Sequence, residues 1–287
     1  MAKSQLAITI LATILVISLA LNAYQWGGSL TLTQQEEKQE MASLLLHTQS
    51  AINAKLQKID AILLADCHDL STTGLTGTQA DKVLSELYTN SSGLVVNAAT
   101  SDKKDVLVAV QPSNYSDIIG EDIKNQEQNI YMHDTMRPAL SNLIPLVEGF
   151  PGVVIVAPIF DSNEQFMGAL SIVIQPYQLI QPIAQTSLTD TSYSMWAMQT
   201  NGTLIYDPDP AQQGKNLFTD PIYVDYPGVQ TFAHQVAAVQ SGYGTYQYYD
   251  SNLDNTAKVV VNKEAYWTTI GIYNTEWRLV ITHITNQ

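Results

Sequence analysis

A short stretch near the middle of the chain holds the side chains best suited to contact a small molecule. It reads "NIYMHDTMRP" and contains Tyr131, His133, Asp134 and Arg137. Ligand pockets need an aromatic wall and a few aimed polar groups, and arginine can hold a carboxylate in a bidentate fork that lysine cannot reproduce. The stretch predicts a ligand site with Tyr131 as the wall and Arg137 as the anion clamp. The alternative, in which Arg137 caps or pairs on a helix surface, stays open.

A fifth ligand-binding candidate, Asp161, lies in "PIFDSNEQFMGAL". Asp-Ser-Asn between two apolar runs is typical of a hairpin turn, in which the aspartate side chain bonds to the backbone that follows it. The sequence therefore also predicts an Asx-turn at Asp161.

The sequence contains no pattern that points to catalysis. It lacks zinc-protease, nucleophile-elbow, P-loop and Cys-x-x-Cys motifs, and the two carboxylates of "DPDP" belong to a turn stiffened by proline. The histidines are scattered without the spacing of metal ligands; they are His47, His68, His133, His234 and His283. We therefore expect no enzyme activity, no metal and no cofactor.

Composition narrows the class of protein further. The chain has 287 residues with a net charge of -14, which argues against nucleic acid as a partner. Hydrophobic residues make up 45%, enough for a packed core. The single cysteine, Cys67, excludes an internal disulfide and is expected to be a buried, inert thiol.

The N-terminus predicts the compartment. Residues 6–24 carry no charge and as a helix would span roughly 28 Å, about the thickness of a bilayer's hydrocarbon core. Lys3 precedes the run and the next cation is Lys38, a weak asymmetry that places residues 1–5 in the cytoplasm. A cleaved signal peptide is the alternative, but "LNAYQWGG" is a poor cleavage site. We expect a single-pass protein of the cell membrane, anchored in the lipid bilayer, with an extracytoplasmic C-terminal domain.

The rest of the chain reads as one long helix followed by two similar series of elements. A stalk helix is predicted over 25–75, because apolar residues recur there at steps of three and four; they are Met41, Leu45, Ile52, Leu56, Ile59 and Leu63, with Thr48 in the same row. A second helix follows with Thr78 as its cap, and then β-rich segments bounded by Gly, Pro and Asn. Asn201-Gly202 predicts a type I′ hairpin turn, in which Gly202 needs a positive φ.

Five phrases in order resemble the double Cache sensor domain family: "YSDIIGEDI", "VVIVAPIFDSNEQFMGALSIVI", "GTLIYDPDPAQQGKNLF", "SGYGTYQYY" and "AYWTTIGIYNTEWRLVIT". The resemblance implies an α+β fold, with a long N-terminal helix followed by two tandem PAS-like modules with antiparallel sheets. By that resemblance, residues 76–186 form the membrane-distal module, which binds the ligand. Residues 187–287 form the membrane-proximal module, which transmits the signal.

The sequence departs from the amino-acid-binding members of that family. Those members carry an Arg-x-Trp-Tyr phrase before the hairpin and an aspartate in the strand after it. Here "NIYMHDTMRP" replaces the phrase, and Val173 stands about where the aspartate would fall. An α-amino acid is therefore disfavoured, whereas a small carboxylate, a neutral metabolite or no ligand at all stay open.

Two functions fit this sequence. The first is a membrane-anchored extracytoplasmic sensor that binds a small molecule in its distal module and provides signal input rather than catalysis. The alternative is a structural or interaction protein of the cell surface that uses the same fold without a ligand. A membrane signalling partner, a homodimer, an output domain and a second transmembrane helix are left open.

Overall fold

In the computed structural model, a single long helix leads into two antiparallel sheets. The structure describes residues 32–188, 192–250 and 259–285. Helix α1 spans Leu32–Thr73. Its predicted apolar row is confirmed, because Met41, Leu45, Thr48, Ile52, Leu56 and Leu63 are fully buried and Ile59 is 3% exposed. Cys67 on the same helix is buried as expected, and burial raises the pKa of its thiol to about 12.

The first sheet follows a second helix and has antiparallel pairing throughout. Its strands run in the order β2-β1-β6-β5-β3, with β4 beside β5. The elements are α2 Thr78–Asn90, β1 Val95–Asp102, β2 Leu107–Gln111, α3 Glu127–Thr135, β3 Ala139–Leu140, β4 Ile144–Pro145, β5 Pro151–Phe160, β6 Phe166–Ile174 and α4 Pro176–Ser187.

The second sheet is also antiparallel and has the order β8-β7-β11-β10-β9. Its core includes Trp267 and Phe232, whose rings meet edge to face with centroids 5.6 Å apart. Trp277 is fully buried as well. The elements are β7 Tyr193–Gln199, β8 Leu204–Tyr206, α5 Pro227–Ala238, β9 Gly242–Asp250, β10 Val259–Ile270 and β11 Trp277–Thr285. The α+β architecture with two antiparallel sheets is thus as the sequence predicts.

The chain forms two compact units, each with one sheet. Of the described residues, the unit that we call the distal module comprises Ile52–Ile180 and Gly271–Glu276, and the one that we call the proximal module comprises those in 32–51, 181–270 and 277–285. Helix α1 therefore contributes residues to both. The division near residue 180 lies close to the predicted end of the distal module at 186, whose boundaries stay predictions.

Two local predictions were wrong. Thr78 is the first residue of α2 rather than its cap, since Gly77 occupies the cap position without a side-chain bond. At the hairpin between β7 and β8, Gly202 has the expected positive φ of 90°, but Asn201 does not share it. A type I′ turn needs positive φ at both central residues, so this turn is of another type.

The expected membrane anchor at residues 6–24 lies outside the described residues. Among the described residues, no helix is both long enough and apolar enough to cross a bilayer.

Candidate functional site

The predicted binding stretch forms the end of helix α3 and the residues after it. Met136 takes a left-handed φ of 52°, and its N–H donates to the Met132 carbonyl at 2.7 Å, which ends the helix. Tyr131, Asp134 and Arg137 are exposed. The structure thus brings these three side chains to the surface of the distal module.

His133 is the member of this stretch with a defined partner. Its Nε2 lies 2.8 Å from a carboxylate oxygen of Asp105, and its ring meets the edge of Phe166 with centroids 5.2 Å apart. Asp105 is only 3% exposed and lies in the turn between β1 and β2. The pair joins α3 to that turn, so His133 has a structural contact within the module.

Asp161 forms the Asx-turn that the sequence predicts. Its Oδ1 accepts hydrogen bonds from the backbone N–H groups of Asn163 and Gln165 at 2.8 and 2.9 Å. These bonds lower the pKa of the Asp161 carboxyl. The Asp161 side chain therefore has a structural role, since it holds the turn between β5 and β6.

The distal module has a small cavity against one face of its sheet. Cross-strand pairing forms the floor, because Asn97 on β1 is opposite Val173 on β6, and Ala99 is opposite Ser171. The volume is about 20 Å³, room for about one water molecule. The lining consists of Asn97, Ala99, Leu107, Ile123, Gln126, Leu146, Val147, Glu148, Val154, Ser171 and Val173.

The walls of this cavity come from the long connection between β2 and β5. Ile123 and Gln126 precede α3, and Leu146, Val147 and Glu148 follow β4. The connection therefore borders the cavity with its two flanks, whereas Tyr131, His133, Asp134, Arg137 and Asp161 are not part of the lining. A role of those five residues in ligand binding stays a prediction.

The polar chemistry of the cavity centres on Glu148 and Asn97. The Asn97 amide donates to Oε1 of Glu148 at 2.7 Å, and Asn97 is 1% exposed. Ser171, 8% exposed, donates to the Ala99 carbonyl at 3.3 Å. The lining includes one carboxylate and no cationic side chain. Because an ionised carboxylate only accepts hydrogen bonds, this arrangement suits an N–H donor or an ammonium group rather than an anion.

A larger depression on the same module is a weaker candidate. It has a volume of about 460 Å³ and is bordered by Tyr88, Val95, Asn114, Tyr115, Phe150 and neighbouring residues. Nothing in its lining is charged, and it is open to solvent. The small cavity places the buried Asn97 and Ser171 beside one carboxylate, which is the pattern expected of a specific site.

The sequence contains a weak signal for these cavity residues. Asn97 in "LVVNAAT" and Ser171 in "ALSIVI" are lone polar residues inside apolar strands. A polar side chain at such a position is buried and needs a partner. Glu148 has no comparable signal, because its loop lies about fifty positions along the chain from Asn97 and only folding brings them together.

Known proteins with a similar sequence or structure share this architecture. Residues 54–176 match the sequence model of the family described as HK/GC/chemotaxis protein-like, sensor domain. The ligand-binding domain of the Pseudomonas fluorescens chemoreceptor CtaA, solved with L-serine, superposes with a TM-score of 0.62 at 12% identity, covering 87% of this chain and 98% of that one. The chain has a double Cache fold.

Two further structures resemble this double Cache chain. An extracellular ligand-binding receptor from Desulfohalobium retbaense is 32% identical over 85% of this chain, with a TM-score of 0.71. This chain spans 40% of that receptor's length. The extracellular domain of the putative histidine kinase rpHK1S-Z16 is 11% identical, with a TM-score of 0.63 over 88% of this chain and 96% of that one. A comparison with curated proteins gave no match.

Proposed function

We propose that this double Cache chain is an extracytoplasmic sensor that binds a small molecule in the cavity of its distal module. The observation that carries the proposal is the hydrogen-bonded pair of Asn97 and Glu148 in that cavity. Support comes from the similar structures, which include ligand-binding domains of chemoreceptors and the extracellular domain of a putative histidine kinase. The role is signal input rather than catalysis.

The ligand class follows from the charge of the lining. Glu148 would accept hydrogen bonds from an ammonium or amide group, and the remaining lining is apolar or neutral. A carboxylate ligand would require a cation such as Arg137, which is exposed and outside the lining. We therefore place amines and neutral amides ahead of carboxylates. An amino acid stays a candidate through its ammonium group, although Val173 replaces the expected aspartate.

Ligand entry requires the segment from Leu146 to Phe150 to move outward. The segment closes on itself through bonds from the Leu146 N–H to the Phe150 carbonyl at 3.1 Å and from the Gly149 N–H to the Leu146 carbonyl at 3.0 Å. Its side chains Leu146, Val147 and Glu148 cover a space of about 20 Å³. A ligand larger than a water molecule must displace them, so ligand binding should move this segment.

Thermal unfolding of the full chain in detergent tests the proposal. The compounds are the amino acids, small primary amines, small amides and small carboxylates. A ligand at about one hundred times its Kd should add about 2.7 kcal/mol to the free energy of unfolding, a rise of several degrees in Tm. Stabilisation by at least one nitrogen donor class is the expected result. A chain that no compound stabilises would instead fit the alternative, a cell-surface interaction protein without a ligand.

The proposal includes an anchor formed by residues 6–24, with residues 1–5 in the cytoplasm. Its support is the uncharged run and the position of the first lysines. Protease added to intact cells should degrade the chain beyond residue 27. Full protection of that part in intact cells, with cleavage after lysis, would contradict the topology.

A further inference from the structure

A cluster of side chains in the proximal module has no role in the proposed ligand site. Glu37 on α1, Glu264 on β10 and His283 on β11 offer three ligand atoms that all lie within 4.8 Å of one another. Antiparallel pairing places Glu264 directly opposite His283. The three residues come from distant parts of the sequence, so no spacing motif could reveal them.

The two oxygens of Glu264 have different surroundings. Oε2 is held by the Tyr243 hydroxyl, which donates at 3.1 Å, and by Lys38 Nζ at 3.7 Å. Oε1 faces Nδ1 of His283 at 3.6 Å. One oxygen is therefore fixed by neighbouring groups while the other points into the cluster, as in metal sites whose carboxylate ligands are oriented by hydrogen bonds.

His283 provides a second, independent observation. Its Nδ1 atom is buried and has no hydrogen-bond partner within the described residues, and the side chain as a whole is 15% exposed. Buried polar atoms normally have a partner. A buried imidazole nitrogen that makes no hydrogen bond to the described part of the chain and lies 3.6 Å from Oε1 of Glu264 is an arrangement that a bound cation would complete.

The charge around the cluster also favours a cation. Glu37 and Glu264 contribute two negative charges, of which Lys38 balances one. Glu264 is 5% exposed, and buried charges in proteins are paired or coordinate a metal. The donor set of one imidazole nitrogen and two carboxylate oxygens suits first-row divalent metals such as Zn²⁺, whereas Mg²⁺ and Ca²⁺ prefer sites made of oxygen ligands alone.

We propose that Glu37, Glu264 and His283 form a binding site for a divalent transition metal of the Zn²⁺ type. Bonds of about 2.0–2.2 Å to nitrogen and oxygen would draw the three atoms closer than their present separation. Lys38 and Tyr243 would continue to hold Oε2. The metal would join helix α1 to strands β10 and β11 within the proximal module. The site is independent of the ligand cavity and of the proposed sensor function.

Isothermal titration of the full chain with Zn²⁺ tests this site, with Co²⁺ absorption as a report on coordination. The variants are Glu37→Gln, which changes a half-buried helix residue, and His283→Ala. His68→Ala is the matched control, because His68 is an exposed histidine on α1. We expect one Zn²⁺ per chain, a Kd at least tenfold higher in both site variants, and an unchanged Kd in the control.

Three outcomes would overturn the proposal. The first is the absence of stoichiometric Zn²⁺ binding by the wild-type chain. The second is binding that neither Glu37→Gln nor His283→Ala weakens. The third is loss of binding in His283→Ala while Glu37→Gln binds like the wild type, which would show binding by the histidine without Glu37 rather than a site of three ligands. Melting curves without metal identify any variant that fails to fold.

Discussion

At the scale of single residues, the hairpin between β7 and β8 depends on Gly202. Its φ is 90°, a conformation that costs other residues about 1–2 kcal/mol. A Cβ at this position would also lie 2.6–2.8 Å from ring atoms of Phe218. Backbone strain and a steric clash therefore act together here.

Gly202→Ala should destabilise the chain more than Gly214→Ala. Gly214 also has a positive φ, 75°, but a Cβ there meets nothing within 4 Å. The control thus measures the backbone strain alone, about 1–2 kcal/mol, and the difference between the variants measures the contact with Phe218. Urea unfolding measures the loss of unfolding free energy in both variants. An equal loss in the two would contradict the prediction, because it would show that the Phe218 ring moves aside without cost.

A second residue-scale prediction concerns the pH dependence set by Asp207. Burial raises the pKa of this carboxyl from its ordinary 3.8 to about 6, and the hydrogen bond from the Asp209 N–H partly opposes the rise. A raised carboxyl pKa means that ionisation is harder in the folded state, so its contribution to stability falls as pH rises from about 4 to 6 and is constant above that.

Asp207→Asn should therefore stabilise the chain at pH 7 by about 1–3 kcal/mol, with no gain below pH 4. The Asn oxygen can still accept the bond that Oδ1 receives from Asp209 at 2.9 Å. Asp117→Asn is the control, because Asp117 is an exposed aspartate that has no part in the raised pKa of Asp207. Urea unfolding between pH 4 and 7 checks this, and a gain independent of pH would contradict it.

At the scale of elements, helix α1 is held by its buried row. Leu63 is fully buried and Leu64 is 44% exposed, although they are neighbours with the same side chain. The helix contains no glycine or proline, so both positions have the same helix propensity and differ in burial.

Leu63→Ala should lower the free energy of unfolding by about 2–5 kcal/mol, because it removes buried methyl groups and leaves a cavity. Leu64→Ala should change it by about 0.5 kcal/mol or less. Chemical denaturation of both variants measures the difference. Equal effects would mean that α1 does not pack along the row that contains Leu63.

The helices and strands could be predicted from the sequence more completely than the candidate ligand site could. Local periodicity is sufficient to identify α1, and Asp161 is sufficient to place the β5–β6 turn. Helix α4 was not predicted, because it contains Pro182, which normally ends a helix. There, burial of Leu179, Ile180 and Ala184 outweighs the loss of one backbone bond.

The cavity was only partly predictable, because its residues come from several separate segments. The long connection was correctly recognised as unusual, but nothing local shows that its flanks, rather than Tyr131 to Arg137, line the cavity. Pairing of Asn97 with Glu148 depends on the register of the sheet and the fold of the loop. Long-range contacts of this kind cannot be read from sequence spacing.

At the scale of the whole molecule, the two modules contain sites of different chemistry. The distal module has a small cavity lined by one carboxylate, and the proximal module has a cluster of one histidine and two glutamates. The double Cache fold thus combines a proposed ligand site with a separate proposed cation site. The two can be tested independently, since no residue belongs to both.

The most direct test of the ligand site is a titration of the full chain with the compound that stabilises it most. Removing one charged partner of a buried ligand contact costs about 2–5 kcal/mol, so Glu148→Gln should weaken binding roughly 30-fold or more. A glutamine oxygen can still accept the Asn97 bond, which preserves the fold. Glu164→Gln, on an exposed turn residue of the same module, should bind like the wild type. Wild-type affinity in Glu148→Gln would contradict the placement of the ligand in this cavity.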